Sequence, residues 1–195
     1  MITTEQIKEL RDKTGVSVMQ CKKALEDAGG DMDKAIIFLR KKGSDIASKK
    51  SDRTLGSGRV ASYVHSNGSV GSLVELSSET DFVSKNDEFY ALAHDIAMQI
   101  AATNPTYLKK EDVTDEEKKK ALDVFEKEVV GKPDNIKDKI LAGKLDSYLS
   151  DKILLEQPFI KNGDLKIKNL IESAIQKFGE KIEVARFVRF SVLEK

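Results

Sequence analysis

An α+β protein is predicted: a three-helix bundle at the N-terminus, then an antiparallel three-stranded sheet covered by helices. Three observations carry this reading. The first 43 residues hold unusually complete helix punctuation. Two alternating runs flank Ser66-Asn67-Gly68-Ser69, a strong hairpin signal, with Asn-Gly suited to a type I′ turn in which both central residues have positive φ. A third alternating run, Ile182 to Phe190, lies near the far end and supplies the strand that an isolated hairpin needs for stability.

In the bundle, Thr3 with Gln6 makes a capping-box pattern, Ile7 and Leu10 supply an apolar stripe, and Gly15 ends the helix. Ser17 with Gln20 repeats the box before Cys21, Ala24, Leu25 and Ala28, and Gly29-Gly30 stop that helix. Asp31 caps a third helix with Ala35, Ile36 and Leu39 facing inward, and Gly43 closes it. Helices joined by such short turns fold back on one another. Serines, glycines and scattered basic residues follow, so a linker is expected at residues 46–58 between a bundle at 1–45 and an α+β core at 59–195.

The core opens with strands from Val60 to His65 and from Val70 to Leu76. The segment Ser77 to Asp87 then leads into an amphipathic helix carrying Phe89, Leu92, Ala93, Ile96 and Ile100, ended by Asn104-Pro105. Thr114 with Glu117 opens another helix, expected to stop at Gly131-Lys132-Pro133. A helical stretch broken near Gly143 follows, then a buried extended piece from Leu154 to Phe159. A last helix reaches Phe178 and stops at Gly179. In the final strand Ile182, Val184, Val188 and Phe190 share one face; Arg186 interrupts it, and Phe187 interrupts the polar face opposite.

Composition narrows the function. Lys+Arg and Asp+Glu are both 33 in 195 residues, so the chain lacks the basic footprint on which a nucleic-acid binder depends. The basic residues Lys49, Lys50 and Arg53 are diluted by serine and read as linker. No apolar run approaches the roughly 20 residues that span a bilayer. The N-terminus has no signal-peptide pattern, and the single cysteine, Cys21, fits a reducing cytoplasm and a place in the bundle core. His65 and His94 have no second ligand at metal spacing, and no phosphate-cradling glycine motif occurs. An enzyme is not expected, nor a cofactor, a metal or direct nucleotide binding.

The segment Thr80-Asp81-Phe82-Val83 stands apart. Phe82 falls seven residues before Phe89, about two helical turns, and so could extend the buried face of that helix. An aromatic at a strand-to-helix corner also suits an exposed anchor for a partner. The pattern alone leaves both readings open.

Four stretches, in order, resemble the elongation factor Ts family: Thr14 to Leu25, Thr80-Asp81-Phe82-Val83, Leu154 to Phe159, and Arg186-Phe187-Val188-Arg189-Phe190. Together they span essentially the whole chain. The resemblance implies a guanine-nucleotide exchange factor for elongation factor Tu, with a ubiquitin-associated-like bundle docking on the GTPase. It assigns Arg11, Val18 and Met19 to the bundle contact. It assigns Thr80, Asp81, Phe82 and Val83 to an intrusion beside the partner's Mg²⁺ site. Short family members with one core resemble this chain and act as homodimers; here the apolar pattern around Phe187 is the expected self-association surface. The sequence departs from the family pattern at Gln20, Lys181 and Ala185.

Overall fold

The computed structural model describes residues 2–129 and 134–193. Helices α1 (Thr4–Thr14), α2 (Val18–Asp27) and α3 (Met32–Lys49) form the bundle around Leu10, Val16, Cys21, Leu25, Ala35 and Leu39. The punctuation works largely as the sequence suggests. The Thr3 hydroxyl accepts from the Gln6 N–H at 3.2 Å while the Gln6 amide oxygen accepts from the Thr3 N–H at 2.9 Å. Gly15 closes α1 in the left-handed region, with φ 67°. The second capping box does not form: the Ser17 hydroxyl makes no cap bond, and the Gln20 side chain accepts instead from Gln176 at 2.7 Å.

The third helix also departs from expectation. It continues through Gly43 to Lys49, so the first part of the expected linker is helical. Packing overrides the local signal, because Gly43 is buried and Ile46 and Ala47 pack against the main core.

In the core, β1 (Ser57–Val64) pairs antiparallel with β2 (Val70–Ser78), which pairs with β5 (Ile182–Ser191), leaving β2 central. The turn at residues 65–70 is not type I′. Gly68 has positive φ, 69°, but Asn67 does not; the Gly68 N–H donates to the His65 carbonyl and the His65 N–H to Val70. A four-residue connection relieves Asn67 of the left-handed conformation that a two-residue turn demands.

A β-bulge explains the odd pattern of the last strand. Glu75 faces Arg186 but Leu76 faces Val184, so Ala185 is the extra residue and the faces exchange there. Ile182, Val184 and Phe187 turn inward as a result, while Arg186, Val188 and Phe190 turn outward.

Behind the sheet lie α5 (Asp87–Thr103) and α8 (Ile167–Phe178), which enclose Leu76, Phe89, Ile96, Ile100, Ile171 and Ile175. The buried Gln99 fastens α5 to the segment that follows residue 153: its amide donates to the Gln157 side chain and the Pro158 carbonyl, both at 3.1 Å. Its oxygen accepts from the Ile160 N–H at 2.9 Å. That segment is a 3-10 turn, Leu154–Glu156, followed by the small hairpin of β3 (Pro158–Phe159) and β4 (Asn162–Lys166); it is not one extended piece. Helices α6 (Asp115–Glu128) and α7 (Asp134–Lys152) pair beside the core. The expected stop at Gly131-Lys132-Pro133 lies outside the described residues. Gly143 does not break α7, which is continuous through it.

Candidate functional site

Between β2 and α5 the chain makes one further helical turn, α4 (Asp81–Ser84), which the sequence pattern did not single out. Asn86 starts α5 afresh, its side chain accepting from the Glu88 N–H at 2.8 Å. Phe82 and Phe89 therefore belong to different helices, and their seven-residue spacing carries no shared face. Phe82 is 82% exposed and Phe89 fully buried. The core-plug reading fails on that contrast.

The turn is held from several sides. Val83 is buried in the main core. The Ser84 and Ser57 hydroxyls are 2.8 Å apart, and the Ser78 hydroxyl donates to the Thr80 carbonyl at 3.0 Å. The Thr80 N–H and hydroxyl both donate to the carboxylate of Glu180, the backbone bond at 3.0 Å. Beside it, Glu79 accepts from the Lys181 N–H at 2.6 Å and from the Arg53 guanidinium at 3.0 Å. The Lys181 N–H bond, seconded by Arg53, holds the Glu79 carboxyl below its ordinary range despite burial. Asp81 pairs with Lys85 at 2.6 Å, and that hydrogen bond holds its carboxyl low as well. Both members of the pair are exposed, so it can be exchanged for other partners at little cost.

The four residues of the expected intrusion thus divide their roles. Phe82 and Asp81 face solvent, Thr80 is tied to the body, and Val83 is an inward anchor with no surface to offer a partner.

On the bundle, Val18 is 49% and Met19 77% exposed at the start of α2, and Arg11 is exposed on the last turn of α1. Ile37 and Phe38 on α3 are also exposed, and the sequence reading passed over them. A signal was there: Ala35 to Leu39 are five consecutive apolar residues, more than one helix face can bury.

The outer sheet face carries a third surface. Leu73 stands between Ser62 and Val188, and Gly71 between Val64 and Phe190, with Glu75 and Arg186 paired at 2.7 Å at one end. Val60, Val64, Leu73, Val188 and Phe190 are all exposed there. Phe187, expected at the centre of the self-association surface, packs against the core on the opposite face.

Among the described residues no group of His, Cys, Asp and Glu is placed to hold a metal ion, and no helix is long and apolar enough to cross a membrane. His94 lies edge-on to Tyr63, and the Tyr63 hydroxyl is 3.0 Å from Nδ1 of His65, so both histidines sit in an aromatic cluster.

An exposed aromatic on a fixed turn, an exposed apolar pair on the bundle and an apolar outer sheet face leave three apolar surfaces open to solvent. Comparison with known proteins gives the family. The family model described as Elongation factor TS matches residues 5–194. Curated proteins named Elongation factor Ts are similar over nearly the whole chain. That of Carboxydothermus hydrogenoformans is 48% identical, covering 100% of this chain and 90% of the relative. That of Thermodesulfovibrio yellowstonii is 49% identical, covering 98% and 96%, and that of Thermotoga petrophila 46%, covering 99% and 97%. The chain belongs to the elongation factor Ts family.

Proposed function

We propose that this chain binds the GDP-bound form of elongation factor Tu and accelerates GDP release during translation elongation, acting in the cytoplasm without covalent catalysis. The observation that carries the mechanism is the exposure of Phe82 on a turn anchored by Val83, Glu180 and the Ser57–Ser84 contact. An aromatic held out at 82% exposure gains the burial of a Phe, roughly 1.5–3 kcal/mol, only when a partner covers it. A GTPase holds GDP through backbone donors, a lysine and Mg²⁺. Phe82 wedges between partner helices beside that site, and Asp81 exchanges Lys85 for polar groups that order the metal, so the phosphate grip loosens. Because the coupling is reciprocal, GDP must loosen this chain to the same extent.

Two further surfaces belong to this reading. Arg11, Val18 and Met19 make a second contact near the nucleotide pocket, which treats the bundle as a docking domain distinct from the core. The outer sheet face, with Val60, Val64, Leu73, Val188 and Phe190, joins two copies of the chain: its strands present an apolar centre flanked by the Glu75–Arg186 pair. This relocates the expected self-association surface from Phe187 to its outward neighbours.

Size-exclusion chromatography with elongation factor Tu tests the proposal. A complex that forms without nucleotide and dissociates as GDP is added supports it. Separate elution at every GDP concentration contradicts it.

A further inference from the structure

We propose that Gly43 is a positioning residue: by letting α3 cross α8 at backbone contact, it locks the bundle onto the core and fixes the offset between Met19 and Phe82. The inference rests on the two-contact reading above. A glycine inside a helix costs about 1 kcal/mol relative to alanine, so its place here calls for a reason. The reason is proximity. A Cβ at Gly43 would lie 3.2 Å from Oε1 of Gln176 and 3.3 Å from the Glu172 carbonyl oxygen. Glycine lets the two helices meet this closely, where any side chain would push its neighbours back by at least a few tenths of an ångström.

Two further contacts across the seam, Gln176 with Gln20 and Lys177 with Gly15, and the packing of α3 itself support the same reading. The buried Gln176 donates to Gln20, the residue next to Met19, at 2.7 Å. Its neighbour Lys177 pairs with Glu88 in the first turn of α5, and its ammonium would lie 3.5 Å from a Cβ on Gly15 at the end of α1. Finally, α3 itself belongs to both cores: Ala35 and Leu39 pack in the bundle, Ile46 and Ala47 against the sheet domain. One continuous helix of 18 residues, about 27 Å long, is a strut and not a tether.

The lock matters because two linked contacts gain most when they are already spaced for the partner. A bundle free to swing must lose that freedom on binding, and affinity falls accordingly.

The test has two arms. In the first, ¹⁵N relaxation of the free chain reads the tumbling of bundle and core. Common tumbling is expected in the wild type, and faster, separate tumbling of residues 4–42 in Gly43→Leu. Gln176→Ala with Lys177→Ala, which adds no bulk, should loosen the bundle in the same direction and covers the case in which Gly43→Leu does not fold. In the second arm, binding to nucleotide-free elongation factor Tu should weaken on the order of tenfold in the loosened variant. Gly43→Ala, whose methyl needs only a few tenths of an ångström, should fall between. Separate tumbling in the wild type overturns the inference, as does a loosened variant that binds like the wild type. The first arm contains no GTPase, so it decides the lock independently of the functional reading.

Discussion

Phe82 and Val83 are chain neighbours on a single helical turn, one 82% and the other 2% exposed. The buried residue fixes the turn so that the exposed one has a fixed direction. Substitutions at the two positions should therefore separate cleanly. Phe82→Ala leaves no cavity, so the melting temperature should stay within a degree or two, whereas Val83→Ala should cost roughly 1.5–3 kcal/mol. Thermal melts of both variants check this, and equal destabilisation would contradict it.

The Gln99–Gln157 pair ties α5 to the 154–159 segment through a fully buried amide. Gln99→Leu should cost more than the bonds it deletes, because the Ile160 N–H and the Pro158 carbonyl lose their partner. A total loss of about 1–3 kcal/mol by urea denaturation is expected, since the Pro158 and Ile160 bonds are only partly buried.

Glu79 predicts a pH dependence. Its carboxyl is held below the usual range in the folded chain, so its contribution is complete above the unfolded value, near 4.3. That contribution is lost as pH falls through the lowered folded value. Glu79→Gln should be less stable than the wild type at neutral pH, and the gap should close between about pH 5 and pH 3. Stability measured across that window checks the sign; a gap that widens on acidification would refute it.

The outer sheet face predicts self-association. Phe190 is 68% exposed, so Phe190→Asp should preserve the fold while placing a charge in the apolar centre. Light scattering should show a dimer for the wild type at micromolar concentration and a monomer for the variant. A monomeric wild type with full exchange activity would remove this surface from the account.

Much of the fold is local enough to read from the chain. The caps at Thr3, Asp31 and Thr114, the left-handed stops at Gly15 and Gly179, and the three strands all rest on neighbouring residues. What escaped depends on distant ones. The continuation of α3 past Gly43 needs α8 beneath it, and the exchange of faces at Ala185 needs the register against Glu75 and Leu76. At the site, the segment from Thr80 to Val83 was legible as a unit, but its division into exposed Phe82 and buried Val83 was not. That division follows from the break at Asn86, where a new cap starts α5 and cancels the apparent helical spacing from Phe82 to Phe89.

The most direct test of the central claim is stopped-flow release of a fluorescent GDP analogue from elongation factor Tu, comparing the wild type with Phe82→Ala at matched folded concentration. The wild type should accelerate release, and the variant should be slower by about tenfold or more, in line with losing the roughly 1.5–3 kcal/mol of an interfacial Phe. If Phe82→Ala, with an unchanged melt, releases GDP as fast as the wild type, Phe82 is not the wedge and the proposed mechanism is wrong.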